Sequence, residues 1–166
     1  MRKLLLIILL LPLFAQAQQL PDFGFDKIKL RDSDQIVQTQ LLQGSAASKA
    51  RPDRYYYWYA ANKIHATQGG FSGDLLNGDY NAYYLDKSLK EQGVFKKGLK
   101  DGTWKSWNES GSLTGIYTWK NGLRQGAFSL YDNKGKLIQS GYYKDNQLVQ
   151  PDSGSFWEKL DIFKKK

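Results

Sequence analysis

The amino-acid sequence predicts an all-β protein, an elongated antiparallel meander of β-hairpins that repeats about every 24 residues and ends in a short C-terminal helix as a cap. The first observation behind this prediction is internal repetition between residues 93 and 146, where Gly98, Leu99 and Gly102 recur 24 positions later. A fixed period of this length is typical of repeat architectures. The second observation is that aromatic and turn residues keep the same period: Trp104 and Phe128, Trp107 and Tyr131, Gly111 and Gly135, Leu113 and Leu137.

Each repeat is predicted to form one β-hairpin. Residues 103–108 form a strand, residues 109–111 a three-residue turn with Gly111 in the left-handed conformation, and residues 112–119 the return strand. This register sets an aromatic side chain directly opposite a leucine, and each such pair contributes about 0.2–1 kcal/mol. Three successive hairpins have the pair: Tyr83 with Leu89, Trp107 with Leu113, and Tyr131 with Leu137.

The connection between hairpins is predicted to be longer and basic. It covers residues 97–102, and its two glycines allow left-handed backbone angles. The repeat weakens on both sides of this region. Upstream, Lys87 stands where the turn glycine is due, and downstream Asn146 replaces another glycine.

Residues 1–17 are predicted to be a cleaved signal peptide. Arg2 and Lys3 make a basic start, residues 4–14 are largely apolar, and a small-residue cleavage site ends at Ala17. The apolar stretch is shorter than the roughly 20 residues that a membrane-spanning helix needs. The alternative is an uncleaved anchor. Cleavage predicts a secreted or periplasmic protein of the cell envelope.

Residues 18–53 differ in composition from the repeats that follow. Residues 25–30 and 35–42 alternate as two β-strands joined by a turn-prone segment. Residues 44–53 contain Ser, Ala and Pro and are interpreted as a linker. We expect a short N-terminal ribbon that covers the first repeat.

The repeats are assigned to residues 54–149 and open with five consecutive aromatic residues, 55–59. A strand with apolar side chains on both faces is expected to be covered on both sides. Gly69 and Gly70 accompany one extra residue relative to later repeats, which predicts a β-bulge.

Residues 150–166 are predicted to form an amphipathic cap helix with a basic tail. Ser155 and Glu158 make a capping box at the start of the helix. Apolar side chains follow with helical spacing, at Phe156, Leu160 and Phe163. The helix is expected to dock over the last repeat, as capping units do in repeat proteins.

The chain is basic and has no cysteine. Its net charge of +8 falls to +6 when Arg2 and Lys3 leave with the signal peptide. The remaining basic residues follow the predicted turns and are interpreted as solvated side chains: Lys96, Lys97, Lys100, Lys120, Arg124, Lys134 and Lys136. This distribution and export both argue against a nucleic-acid partner. Without disulfides or a lipoprotein cysteine, stability is expected to depend on packing between repeats.

The sequence predicts no catalytic, cofactor or metal site. His65 is the single histidine, and no cysteine exists to share a metal ion with it. A serine triad would need His65 as its base, and no nucleophile elbow is present. The acidic residues fall mostly in turns, and the glycine pairs lack the strand–helix context of a phosphate loop. We therefore expect a protein that is not an enzyme and uses no cofactor.

The repeat has the pattern Lys-x-Gly-Leu-x-x-Gly-x-aromatic-x-x-aromatic, followed by Gly-x-Leu. This pattern resembles the MORN-repeat variants of the bacterial YwqK-type antitoxin-like proteins, in particular exported members. The resemblance spans residues 56–148 and is strongest over residues 98–145. It implies an elongated antiparallel sheet of consecutive hairpins and an interaction role without catalytic residues.

Tyr80, Trp104 and Phe128 are the candidate partner-binding residues. The predicted register places them on the face opposite the aromatic–leucine pairs. Flanking apolar residues share this face, namely Val94, Ile116 and Ile138. One alternative is that the three rings belong to the core, covered by the N-terminal ribbon or by sheet curvature. The other is an exposed stripe that holds a partner chain, a glycan or a lipid surface.

Three functions are compatible with this sequence. The leading hypothesis is an exported, non-catalytic repeat scaffold that binds another protein. The second is a cell-wall or glycan-binding module, although the Gly-Trp pair of choline- or glycan-binding repeats is absent. The third is association with an anionic membrane surface through the C-terminal aromatic residues and lysines, whose three charges supply only about 3 kcal/mol of attraction.

The mature protein is predicted to start at Gln18. Intact-mass measurement of exported material should show the loss of residues 1–17. Retention of the whole chain in the envelope fraction would contradict the signal-peptide interpretation.

Overall fold

The computed structural model describes residues 25–42, 44 and 49–149, and this part of the chain is all-β. Its eleven strands form one antiparallel sheet. The strands are β1 (Phe25–Arg31), β2 (Ile36–Leu42), β3 (Tyr55–Ala60), β4 (Lys63–Gln68), β5 (Asp74–Tyr83), β6 (Leu89–Lys96), β7 (Leu99–Trp107), β8 (Leu113–Lys120), β9 (Leu123–Tyr131), β10 (Leu137–Lys144) and β11 (Gln147–Val149). The order β1-β2-β5-β6-β7-β8-β9-β10-β11 confirms the predicted meander, and β3 pairs with β4 and β5 beside this path.

The predicted hairpin register is confirmed in all three repeats. Each aromatic–leucine pair lies directly opposite in the sheet: Tyr83 with Leu89, Trp107 with Leu113, and Tyr131 with Leu137. The turn position has a left-handed φ of 79° at Gly111 and 78° at Gly135. Lys87, with φ 75°, takes the same conformation without being glycine. The turn geometry is therefore set by the repeat and imposed even on a residue that disfavours it.

One extra residue follows each of these turns and forms a β-bulge. The extra residues are Lys90, Thr114 and Ile138. A bulge shifts the alternation of side chains beyond it by one position. As a result Trp104 lies opposite Tyr117 and not beside Ile116, which corrects the predicted flanking residues. The equivalent pairs are Tyr80 with Gly93 and Phe128 with Gly141.

Two-residue turns join successive hairpins, so the longer connection predicted over residues 97–102 is wrong. Lys97 and Gly98 have φ of 49° and 77°, which is typical of the type I′ turns that suit the twist of antiparallel strands. The turn recurs at Asn121-Gly122 and at Asp145-Asn146. Gly102 lies within β7, where its φ of 71° accompanies a register shift against β6.

Each two-residue turn is also bonded to the strand that lies before its own hairpin strands. The second turn residue donates its backbone N–H to a carbonyl oxygen: Gly98 to Leu76 at 2.7 Å, Gly122 to Lys100 at 2.9 Å, and Asn146 to Arg124 at 3.0 Å. The first turn residue donates to a side-chain oxygen: Lys97 to Asn77, Asn121 to Asp101, and Asp145 to Gln125. We call these contacts the turn clamp. They repeat with the same period as the sequence and hold neighbouring repeats together.

The N-terminal ribbon extends the sheet and does not cover the first repeat as predicted. The two strands expected there are confirmed as β1 and β2, and β2 pairs with β5 from Ile36 opposite Tyr83 to Leu42 opposite Leu75. The face of the first repeat is covered by the hairpin β3–β4 instead. This hairpin pairs with β5 at two positions only, Trp58 with Leu75 and Tyr59 with Asp74.

The aromatic strand β3 is covered more on one side than on the other. Tyr56 is buried, whereas Tyr55 is 56% exposed, so the expected coverage of both faces is only partly correct. The bulge predicted at residues 68–70 is wrong, because β3 and β4 pair without a register shift. Gly69 instead begins the turn out of β4, with φ 74° and its N–H bonded to the carbonyl of Arg54 at 2.9 Å.

The core lies between the hairpin β3–β4 and the face of the sheet formed by β2 and the first two repeats. Phe95 is 1% exposed and touches the rings of Tyr57 and Trp104, each at a centroid distance of 4.9 Å. The indole of Trp104 lies against the backbone of Gly93, where any Cβ would collide with it. The glycine in β6 therefore makes the room that the tryptophan of β7 fills.

The predicted signal peptide, residues 1–17, and the predicted C-terminal helix, residues 150–166, lie outside the described residues. Across the part of the chain that the structure does describe, no helix is long and apolar enough to cross a membrane.

Burial makes Trp104 the critical aromatic residue of the second repeat. Trp104→Ala is expected to lower the free energy of unfolding by about 3–5 kcal/mol, the usual cost of truncating a buried large aromatic. Trp107 is half-buried, so Trp107→Ala is expected to cost less. Chemical denaturation of both variants measures the two values. Equal losses would contradict the assignment of the faces.

Candidate functional site

The predicted partner-binding residues lie in the protein interior. Tyr80, Trp104 and Phe128 are 9%, 3% and 3% exposed, so the prediction of an exposed stripe is wrong. The alternative that they belong to the core is correct as to burial, although the predicted cover was the N-terminal ribbon or sheet curvature. Tyr80 and Trp104 pack with Phe95 beneath the hairpin β3–β4. Phe128 is packed against rings of the neighbouring strands, those of Tyr117 and Tyr143.

The aromatic face stays partly open beyond the hairpin β3–β4. The hairpin reaches the first two-residue turn, where the N–H of Tyr57 donates to the carbonyl of Gly98 at 2.8 Å. It reaches the second through Arg54, whose Nε donates to the carbonyl of Asn121 at 2.9 Å. Further along the sheet three rings are only half-buried, those of Tyr117, Trp119 and Tyr143.

Two cations stand among these rings at equivalent positions of successive repeats. Lys100 on β7 and Arg124 on β9 are 24 residues apart and each accepts the backbone hydrogen bond of a turn clamp. The same position holds Leu76 on β5, which is fully buried, and Leu148 on β11, which is exposed. The repeat therefore accepts an apolar side chain at this position.

Lys100 is a largely buried cation with a partner. Its Nζ lies 2.8 Å from Oε1 of Glu91 and 3.7 Å from the ring centroid of Trp104. Burial lowers the pKa of Lys100 because it penalises the charged form, and the carboxylate of Glu91 opposes this shift. The ion pair and the cation–π contact together compensate this charge.

Arg124 has aromatic neighbours but no carboxylate among the described residues. Its Cζ lies 4.7 Å from the ring centroid of Tyr117, 5.3 Å from Tyr143 and 5.5 Å from Trp119. The position equivalent to Glu91, 24 residues later, is Gly115. The carboxylate that neutralises Lys100 in one repeat is thus missing beside Arg124 in the next.

A cleft of about 210 Å³ opens between the two cations and the start of β3. Its lining combines aromatic rings, cations and turn residues: Tyr55, Tyr57, Lys100, Trp119, Gly122, Arg124 and Asn146. The volume is below the roughly 300–1,000 Å³ of typical small-molecule pockets. The cleft therefore has room for one side chain or a small group of a larger partner.

The cations and rings of this cleft are suited to holding an anionic group. A guanidinium held between aromatic rings keeps its in-plane N–H donors free to bind a planar anion. His65 lies elsewhere, stacked on Trp58 at a centroid distance of 4.4 Å, with Nε2 3.2 Å from the carbonyl oxygen of Ala60. Within the described ranges no group of three or more His, Cys, Asp or Glu side chains could hold a metal ion.

The sequence interpretation placed Lys100 and Arg124 in solvated turns, and that is wrong for both. They belong to β7 and β9 and lie on the aromatic face. The 24-residue period could have indicated this location, because Lys100 and Arg124 occupy the same position of the repeat as Leu76. The incorrect prediction of one long connection over residues 97–102 placed Lys100 in a loop, so its equivalence to a strand position was missed.

Comparisons of the chain with models of protein families, with curated proteins and with solved structures found no match.

Glu91 and Lys100 are expected to behave as a coupled pair. Glu91→Gln should lower the free energy of unfolding by about 1–3 kcal/mol, since it leaves a buried cation without its carboxylate. Adding Lys100→Leu should restore most of the loss, because leucine occupies the equivalent positions 76 and 148. A double-mutant cycle by urea denaturation measures the coupling. Strictly additive effects would show that the pair contributes nothing.

Proposed function

We propose that this protein is a non-catalytic repeat scaffold that binds another protein at the cell envelope. The observation that carries the proposal is the open end of the aromatic face, where Trp119 and Arg124 line a cleft beside the start of β3 and the ring of Tyr143 lies against Arg124. Tryptophan, tyrosine and arginine are the residues in which protein–protein binding energy is most often concentrated.

The shape of the fold supports an extended contact. The sheet advances by about 10 Å with each pair of strands, since neighbouring strands lie about 4.8 Å apart. A partner chain lying along the sheet would meet equivalent positions of successive repeats at that spacing. The repeats thus offer a regular surface, and the residues that differ between them supply the specificity.

The envelope location rests on the signal-peptide pattern of residues 1–17. The resemblance to MORN-repeat variants of the YwqK-type antitoxin-like proteins agrees with a meander of hairpins and with an interaction role. We do not propose an antitoxin role, because a cytoplasmic antitoxin has no use for export.

A glycan-binding function is the second candidate, favoured by one specific observation. Tyr55 is 56% exposed and lines the cleft together with Trp119, and exposed aromatic side chains are a common platform for sugar rings. Binding to an anionic membrane surface, the third hypothesis, depends on residues 156–166 and lies outside the described residues.

Site-specific photo-crosslinking tests the protein-binding proposal. A photoreactive phenylalanine analogue replaces Trp119 in one variant and Lys105, exposed on the opposite face of β7, in the control. We expect one protein to be crosslinked from position 119 and not from position 105. That protein, once purified, should lose at least about tenfold in affinity when Trp119 becomes alanine, measured at a temperature at which circular dichroism shows that the variant is folded.

Two results would contradict the proposal. Equal crosslinking from both positions would indicate non-specific contact. Disappearance of the crosslink in the presence of soluble cell-wall oligosaccharide, with no protein bound by the purified scaffold, would favour the glycan-binding function.

A further inference from the structure

Arg124 is the one cation of the cleft whose charge no carboxylate compensates within the described residues. Lys100, the other cation there, is bonded to Glu91. The contacts of the Arg124 side chain are with the ring faces of Tyr117, Trp119 and Tyr143. Ring faces stabilise the charge but accept little from the N–H groups, which lie in the plane of the guanidinium.

The carboxylate cannot be supplied from the position that supplies it one repeat earlier. Gly115 takes the place of Glu91, and a Cβ on Gly115 would lie 3.3 Å from Cδ2 of Leu130 and 3.1 Å from Oγ of Ser106. A side chain at position 115 would press against Leu130 and Ser106, and glycine supplies no carboxylate. The cleft, which Arg124 lines, is an open route by which the carboxylate of a partner can reach the guanidinium.

The guanidinium of Arg124 is held by its aromatic neighbours in a position that suits a carboxylate ligand. Three rings around the group restrict its rotation, so little side-chain entropy remains to be lost when it binds. Arginine binds carboxylates through two parallel hydrogen bonds, which are stronger than neutral ones and fix the orientation of the acid.

We propose that the cleft binds an acidic side chain in an extended segment of a partner protein, with Arg124 as the group that recognises the carboxylate. This inference rests on the proposed function and adds the chemistry of the bound segment. The volume of about 210 Å³ admits one side chain of that segment. The carboxylate of the partner would form an ion pair with Arg124, as Glu91 does with Lys100.

The repeat itself supplies the variant that tests the proposal. Arg124→Leu places at position 124 the residue found at the equivalent positions 76 and 148, so the fold is expected to be kept. Arg124→Lys keeps the charge and removes the two-pronged geometry. Lys105→Leu makes the same loss of charge on the opposite face, where Lys105 is exposed.

The probe is a seven-residue peptide of alternating threonine and valine with glutamate at its centre and both ends blocked. Its control has glutamine in place of glutamate. Titration of the full chain, followed by NMR of the arginine Nε–Hε signals, gives the dissociation constants and identifies the arginine affected. We expect the glutamate peptide to bind about 10- to 100-fold more tightly than the glutamine peptide, because this is the usual gain in affinity from hydrogen bonds to a charged group.

Arg124→Leu should abolish this preference, Arg124→Lys should reduce it, and Lys105→Leu should leave it unchanged. Equal binding of the two peptides, or an equal loss in Lys105→Leu and Arg124→Leu, would overturn the proposal. So would Arg124-dependent binding of a galacturonic acid trisaccharide without binding of the peptide, since that assigns the cleft to an acidic glycan.

The outcome separates this inference from the proposed function. If the glutamate preference is absent while position 119 still crosslinks a partner protein in Arg124→Leu, only the acidic-segment proposal fails. If position 119 crosslinks nothing specific, the protein-binding function fails with it.

Discussion

The fold depends on the turn clamp, the hydrogen bond between the second residue of each two-residue turn and the strand before it. Gly98, Gly122 and Asn146 all donate to a carbonyl oxygen 22 residues earlier, at 2.7, 2.9 and 3.0 Å. Such a bond requires the left-handed turn that brings the N–H over the previous strand, which explains why glycine or asparagine stands there. Because the clamp ties one repeat to the next, each added hairpin inherits its orientation from the one before it.

The hairpins could be predicted from the sequence, whereas the faces of the sheet could not. The aromatic–leucine pairs and the glycine turns have recognisable residue types, and the repeat period locates the turn positions Lys87 and Asn146 where glycine is missing. The bulges at Lys90, Thr114 and Ile138 carry no distinctive residue type. One unannounced residue moves every later side chain of its strand to the opposite face. For this reason Tyr117, and not Ile116, lies opposite Trp104. The burial of Tyr80, Trp104 and Phe128 has another cause: the hairpin β3–β4 packs over the first two rings, and Phe128 packs with Tyr117 and Tyr143.

The cleft shows a second limit of sequence interpretation. Lys100 and Arg124 are separated from Leu76 by whole repeats, so their place on the face could have been predicted from the period. Whether a cation is compensated depends on a residue of the neighbouring strand, Glu91 in one repeat and Gly115 in the next. This difference between equivalent positions separates the repeat whose cation is paired within the protein from the repeat whose cation is proposed to bind a partner.

The exact recurrence of bulge, turn and clamp determines which changes of length the protein tolerates. A duplication or loss of 24 residues changes the sheet by one hairpin and returns every remaining side chain to its own face. An insertion of one residue within a strand inverts all positions up to the next turn and exchanges core rings for charged groups. Lengthening by whole repeats is therefore the change of length that disturbs the fold least. It adds a new contact surface and leaves the hairpin β3–β4 packed over the aromatic rings of the first repeats.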